Sequence, residues 1–300
     1  MIVLKSSENQ NWPWSDAGEA AEEILARTYP AVYDYLKPFE TKLRRRQDQG
    51  RFWWELRSCT YYEKFEEPKI VYQEIQFHPA YAHDHRGYVT NNKVFLFPSS
   101  DLYLLSVLNS PLMWWWNWRY LPHMKDEALN PQGEMMEQLP VALPSDAIRE
   151  AVEPLVERLT TLTKARQAAA DQLADWLRVE FDVVGVGARP GGLAALDEDA
   201  FLREASRRRP KSLARISPGD IGSLRSAYRS HVQPIRAGLA EKRRLEHRLA
   251  ALVNEAYGLT AEDVELMWRT APPRMPGVAP HDADRDPAGS TGGELEGTQP

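Results

Sequence analysis

Ile148, Leu155, Leu162, Ala169 and Trp176 stand seven residues apart, with Val152, Leu159 and Leu173 in companion positions and only Arg166 breaking the seam. A strand alternates its side chains between two faces and cannot gather these residues on one side, whereas a long helix can. Pro154 has no amide and suits a first turn, so the regular helix is expected to begin there rather than at Ser145. A second long helix is expected over 222–257, carrying Tyr228, Val232, Ile235, Leu239, Leu245, Leu249, Leu252, Val253 and Ala256, with Gly258 as its stop. Two such helices pair most simply in antiparallel fashion. The insertion between them, 185–219, holds a Gly-rich turn, a short helix near Phe201 and the basic run Arg207-Arg-Arg-Pro-Lys211.

The residues before this pair have a different texture. All but two of the ten tryptophans lie there, so an aromatic core is expected. Helices are expected over 18–27 and, after the Tyr29-Pro30 break, over 31–46, with Val32, Tyr35, Leu36, Phe39 and Leu43 on one side. Strands are expected over 69–75 and 88–97, the latter with a turn or bulge at Asn91-Asn92. Asp101 can cap a helix running to Asn109. Leu139-Pro-Val-Ala-Leu-Pro144 reads as a short strand or exit segment. From Pro272 onward the chain is rich in Pro, Gly, Asp and Ser/Thr, and disorder is expected. The fold class is thus α+β: a mixed α/β domain over 1–143, an antiparallel helical pair over 144–271, and a disordered tail over 272–300.

Composition excludes some classes. The most apolar stretch, 102–116, is interrupted by Asn109, Ser110 and Pro111 and falls short of the roughly 20 residues a bilayer requires. No membrane association is expected, and the opening MIVLKSSENQ is no secretory signal. A single cysteine, Cys59, precludes an intramolecular disulfide and fits a reducing cytoplasm. The net charge of −6 does not announce a nucleic-acid partner. It hides an uneven distribution, because thirteen Lys/Arg face only four Asp/Glu between Arg203 and Arg248.

Motif by motif, the chemistry is sparse. Gly185-Val-Gly-Ala-Arg-Pro-Gly-Gly192 follows a helix rather than a strand and contains Pro190, so it fits a linker better than a phosphate-cradling loop. His78, His83, Asp84 and His85 have metal-ligand chemistry, but an exposed polar loop between two strands accounts for them. Met113-Trp-Trp-Trp-Asn-Trp-Arg-Tyr120 fits a packed core and interface better than a platform for unpaired bases. Arg44-Arg-Arg46 and Arg51 suit either a solvated helix end or guanine recognition. Neither a Ser-His-acid arrangement nor a HExxH pair is present, and catalytic residues are expected to be none.

A set of short segments, taken in order, carries a resemblance. They are Ser6-Ser-Glu-Asn-Gln-Asn-Trp-Pro-Trp14, Tyr29-Pro30, Leu43-Arg-Arg-Arg-Gln-Asp-Gln-Gly50, Phe52-Trp-Trp-Glu-Leu-Arg-Ser-Cys59, Pro68-Lys-Ile-Val-Tyr72, Asn91-Asn-Lys93, Leu104-Leu-Ser-Val-Leu-Asn-Ser110 and Gln138-Leu-Pro140. Over residues 1–144 this order resembles the TaqI-like C-terminal specificity domain of type IIG restriction-modification enzymes and adenine-specific DNA methyltransferases. Leu249-Ala-Ala-Leu-Val-Asn-Glu-Ala-Tyr-Gly-Leu-Thr260 is similar to the helical ending of such proteins.

The resemblance implies a target recognition domain that places loops and strands in the major groove of double-stranded DNA. It also implies a helical spacer docking onto a DNA methyltransferase domain or subunit. Candidate DNA contacts are Arg44, Arg46, Arg51, Arg57, Lys69, Arg86 and Lys93. The chain departs from the full pattern: it has no cofactor-binding glycine motif and no upstream nuclease. Asn130-Pro131-Gln132-Gly133 lacks the second proline and the aromatic ring of the adenine-holding motif. Ile2-Val-Leu4 reads as a strand continuing from something earlier. A C-terminal fragment, a truncated product or a separate specificity subunit is therefore expected, non-catalytic by itself and without a cofactor, S-adenosylmethionine belonging to the catalytic partner. The alternative is a protein-interaction adaptor acting through the helical pair without reading DNA.

Overall fold

A computed structural model of the protein describes residues 2–188, 192–212 and 216–277. Its contacts define two units, Met1–Val71 with Ala82–Ser100, and Tyr72–Tyr81 with Asp101 onward.

In the first unit the short helices α1 (Ala21–Thr28), α2 (Pro30–Leu36) and α3 (Glu40–Leu43) surround an indole cluster. The single helix expected over 31–46 is broken. Pro38 has no amide to give the Asp34 carbonyl, and Lys37–Phe39 tightens into a 3-10 turn. This turns Tyr33 toward the core beside Val32, Leu36 and Leu43, while Tyr35 and Phe39 face solvent with their rings 5.9 Å apart. Trp14 is fully buried, stacked on Trp12 at 5.0 Å and meeting Trp54 edge-on at 6.1 Å. Ile2-Val-Leu4 forms no strand; the Leu56 amide simply donates to the Leu4 carbonyl.

The small sheet has the order β2-β1-β3, from β1 (Lys69–Gln73), β2 (Ala82–Asp84) and β3 (Val94–Phe97). β1 and β2 are antiparallel, with Lys69 opposite Asp84 and Ile70 opposite His83. The stretch expected to be an exposed histidine loop therefore contains a strand. The strand expected over 88–97 starts only at Val94, because Asn91 captures the next amides: its side chain accepts from Lys93 N and its carbonyl from Val94 N.

The second unit is helical. Its helices are α4 (Leu102–Leu108), α5 (Pro111–Tyr120), α6 (Gly133–Met136), α7 (Asp146–Phe181), α8 (Glu198–Arg208), α9 (Pro218–Ala227), α10 (Gln233–Ala256) and α11 (Ala261–Arg269). Asp101 caps α4, accepting from Tyr103 N at 2.8 Å and Leu104 N at 3.2 Å. The tryptophan run forms α5, with Met113 and Trp114 buried.

α7 and α10 pair antiparallel: Arg158 bridges Glu241 midway, and the Tyr257 hydroxyl donates to the Pro140 carbonyl at one end. α7 starts at Asp146 on a Ser145 cap, not at Pro154. Pro154 and Glu150 are both exposed, so the carbonyl left without an amide partner faces water and the helix continues. The buried seam runs in steps of four, Ile148–Val152–Val156 and Leu173–Leu177–Phe181, while Leu155, Leu159, Leu162 and Ala169 are half-buried on its flank.

The helix expected over 222–257 is divided by a five-residue π turn, Tyr228–Val232, just before Pro234. Gly258 ends α10 at φ 64°: its amide reaches Glu255 O at 2.9 Å, and Leu259 N reaches Asn254 O at 3.0 Å. Phe201 of α8, fully buried, organises a second core with Leu173, Leu177, Leu224 and Tyr228. No strand forms over 139–144, where Pro140 and Pro144 interrupt the amides and Leu143 is 90% exposed.

The segment expected to be a disordered tail opens with six described residues, of which Pro273 and Arg274 are held by hydrogen bonds. Trp114 Nε1 donates to Pro273 O at 2.9 Å, and the Arg274 guanidinium donates to the Asp126 and Glu127 carbonyls. The rest, 278–300, lies outside the described residues, as do 189–191 of the Gly-rich linker. Among the described residues no helix is long and apolar enough to cross a membrane.

Candidate nucleic-acid interface

All seven candidate contacts fall in the first unit, and a buried carboxylate determines how that unit presents them. Glu55 is fully buried and accepts from Trp14 Nε1 at 2.8 Å, Ser7 N at 3.1 Å, Phe52 N at 3.3 Å and the Ser7 hydroxyl. It thereby ties the N-terminal segment to the 49–54 loop. Gly50 lets that loop close, since an added Cβ would lie 2.5 Å from the Leu56 carbonyl oxygen and 2.6 Å from the Glu55 Cβ. Arg46 completes the clamp, its guanidinium donating to Trp53 O at 2.9 Å, Glu55 O at 2.8 Å and Leu43 O at 3.2 Å. That commits Arg46 to the fold.

Beside the clamp lies an open groove of about 610 Å³, lined among others by Glu19, Glu22, Arg44, Gln49, Arg51 and Trp53. Arg44 is 2.7 Å from Glu40 and 3.5 Å from Glu22, with its guanidinium over the Trp53 ring. Lys37 bridges the same two carboxylates. Hydrogen bonds donated to Glu22 and Glu40 raise the pKa of the Lys37 ammonium above the ordinary lysine range. Burial pushes Glu22 up, but the Lys37 and Trp53 donors outweigh it and hold the carboxyl below its usual range. Arg51 donates to the Ser15 carbonyl at 3.0 Å and keeps a side chain 54% exposed. Two arginines, one amide and two carboxylates thus share one groove, and these are side chains that pair with base edges: Arg with guanine, Gln with adenine, Glu with cytosine.

The other candidates separate. Arg57 is exposed and 3.5 Å from Asp48. Lys69 is a correction: it is fully buried, 2.6 Å from Asp84 and donating to the Phe65 carbonyl, so it cannot touch DNA in this conformation. Asp84 in turn accepts from Arg86 N at 2.8 Å and Tyr88 N at 2.9 Å. Burial raises its pKa, and these partners outweigh that, leaving the carboxyl below its usual range. The buried pair therefore holds the loop on which Arg86 and Tyr88 stand exposed. Lys93 is exposed just before β3. With Asp84 so engaged, the histidine stretch has lost its only carboxylate, and among the described residues no group of three His, Cys, Asp or Glu is arranged to hold a metal ion.

Residues 24–141 match the family model of the TaqI-like C-terminal specificity domain. The specificity domain gives this part of the chain a DNA-recognition role of the restriction-modification kind. It includes all seven candidates and the groove residues from Arg44 to Trp54. Residues 145–253, most of the helical pair, match a domain family of unknown function. No curated protein and no solved structure matches the chain.

Sequence reading missed Lys37, Glu22, Gln49, Gly50 and Glu55. The Lys37-to-Glu40 spacing of three and the Glu40-to-Arg44 spacing of four gave the local signals. The Glu55 contacts to Ser7 and Trp14 span more than forty residues and leave no periodic trace.

Proposed function

We propose that the chain is the sequence-reading part of an adenine-specific restriction-modification methyltransferase. It is a fragment or separate subunit of such an enzyme. A methyltransferase domain or subunit supplies S-adenosylmethionine and the chemistry, and the spacer formed by α7 and α10 docks onto it. The observation that carries this reading is the groove of the specificity domain, where Arg44 at the end of α3 lines one opening with Gln49 and Arg51 of the loop fixed by Glu55 and Gly50. Base contacts specify a site and phosphate contacts position the protein on it, so a groove rich in forked donors suits the first task.

The test is selection from random duplexes followed by competition binding, with the chain alone and with its cognate methyltransferase. A short enriched motif is expected, with a preference over scrambled duplex approaching the thousandfold typical of specific sites when the partner is present. The first unit has thirteen Lys/Arg and thirteen Asp/Glu, which favours a second reading, an adaptor acting through the helical pair. Absence of any enriched motif in both selections rejects sequence reading and leaves the adaptor.

A further inference from the structure

The cationic excess that the first unit lacks lies in 203–248, from α8 to the middle of α10. Between Arg203 and Arg248 there are only four acids, and each is occupied within the fold. Glu204 bridges Arg208, Asp220 closes the capping box with Ser217, Glu241 bridges Arg158, and Glu246 bridges Lys242. Arg243, Arg244 and Arg248 are exposed on α10; Arg244 interacts electrostatically with Glu241, whose hydrogen bonds go to Arg158, and no ion pair of 4.0 Å or less involves any of the three among the described residues.

The helical period places Arg244 and His247 opposite buried Ile235, Leu249, Leu252 and Val253, with Arg243 and Arg248 on the two flanks of that outer face. Exposed Ala237, Ala240 and Ala251 lie on the same side, together with Arg236 and, beyond Ala251, Glu255. Arg243 to Arg248 covers about 7.5 Å of helix axis at 1.5 Å per residue. A stripe of this kind along one helix is the electrostatic footprint of phosphate binding.

We propose that this face of α10 grips the phosphate backbone of duplex DNA. It supplies the sequence-independent part of binding, while the groove in the specificity domain supplies the choice of sequence. The proposal rests on the reading of the chain as a DNA-binding protein, and it gives the helical family segment a role beyond that of a spacer. Guanidinium groups suit the task because their forked donors match phosphate oxygens and keep their charge at any physiological pH.

The test uses the full chain with Arg243→Gln, Arg244→Gln and Arg248→Gln combined, measured by duplex binding over a range of salt. Each phosphate that is no longer neutralised takes about 0.9 off the log–log salt slope, so the slope should shrink by up to about 2.7. Affinity for enriched and scrambled duplex should fall together, by about tenfold or more near physiological salt, with their ratio unchanged. The matching triple Lys variant should recover most of the affinity. Helicity and melting temperature should match the parent, since all three side chains are exposed.

An unchanged slope and affinity in the Gln variant, while the parent still selects a motif, overturns the proposal and leaves sequence reading intact. A reduced slope in the Gln variant of a parent that enriches no motif supports the α10 grip and rejects sequence reading. Binding of an acidic polypeptide, but not duplex, to this face overturns the proposal in favour of a protein partner.

Discussion

The first unit and the helical pair solve the same packing problem by different means. In the first unit no helix exceeds eight residues and no strand exceeds five. Its order comes from stacked indoles and from single side chains that bond to distant backbone, such as Glu55 to Ser7 and Arg51 to Ser15. The pair relies instead on a repeating apolar seam along 36 residues of α7 and 24 of α10. The charge contrast lies elsewhere: the first unit is balanced, and the cationic excess of the helical unit is confined to 203–248, from α8 to the middle of α10. Fine base discrimination needs fixed geometry and few competing charges, whereas a backbone grip needs charge and little geometry. On the proposed reading, the two regions serve different parts of one task.

The sharpest break in the comparison is Leu173→Asp. Leu173 is fully buried in the Phe201 core, and an unpaired carboxylate there costs several kcal/mol, comparable with a domain's whole stability. Loss of helical signal is expected by circular dichroism, with the near-ultraviolet signal of the Trp14 cluster retained if the first unit folds by itself. Leu162→Asp, at a half-buried position midway along α7, should cost far less. Equal losses at the two positions would mean that the sequence period, rather than the four-residue seam, marks the core.

Next in size is Lys69→Met. Removing one partner of a buried ion pair costs about 3–5 kcal/mol, because Asp84 stays buried with its charge. The pH dependence gives a second readout. Asp84 has a folded pKa below its unfolded value, so its contribution is present above the unfolded carboxylate range and fades as pH falls through the folded value. Parent stability should therefore decline in that acid window, and Lys69→Met should decline less. Identical pH profiles would show that the backbone amides of Arg86 and Tyr88, not Lys69, set the Asp84 pKa.

What was legible in the sequence follows this division. Helical pairing, the Gly258 stop and the Asp101 cap were readable because each depends on residues within a turn or two of each other. Breaks at Pro38 and at the Tyr228–Val232 π turn were misjudged, since apolar spacing alone passes over a proline that interrupts the amide ladder. Lys69 was misjudged for another reason: a lysine opening a strand looks exposed until its cross-strand partner, fifteen residues on, proves to be Asp84. The groove was half legible. Arg44 and Arg51 were picked for their chemistry, but Glu22 beside Arg44 and the Ser7 and Trp14 contacts of Glu55 act over long sequence separations.

Glu55→Gln sharpens the same point at a smaller expected cost. The amide keeps the shape but replaces one acceptor with a donor, and hydrogen bonds to a charged group contribute about 1.5–3 kcal/mol. Trp14 Nε1 and the Ser7 hydroxyl both donate to Oε1, while the Ser7 and Phe52 amides donate to Oε2. One orientation of the Gln amide faces two backbone N–H groups with its NH₂; the other faces the Trp14 indole N–H, while the Ser7 hydroxyl can turn to accept. A drop of about 2 kcal/mol is expected in denaturant melts followed by tryptophan fluorescence, along with weaker selection of any DNA motif. Loss of motif selection without loss of stability would place Glu55 in direct contact with DNA rather than behind the loop.

The smallest stability effects and the most selective functional ones belong to the arginines of the groove. Arg44→Ala and Arg51→Ala remove exposed groups whose ion pairs are worth little in water, so melting temperatures should stay close to the parent. Arg46→Ala should behave differently, because three backbone carbonyls lose their donor and the 53–55 segment loosens. On DNA, an arginine that pairs with a base should relax preference at a single position by about 1–3 kcal/mol and leave the salt slope almost unchanged. Loss of an arginine that touches phosphate should weaken every sequence alike and lower the slope by about 0.9. Arg44 is held over Trp53 between two carboxylates, a pre-set orientation that fits base pairing, and the single-position outcome is expected for it. Arg51 is held through one carbonyl, and its charge is 4.0 Å from Asp16, which leaves it freer to follow the backbone; the uniform outcome is expected there. Competition binding against every single-base variant of the enriched motif, repeated at two salt concentrations, separates the two. If both substitutions weaken all sequences equally, the groove is a second phosphate grip and base reading must be sought on the Arg86–Tyr88 loop.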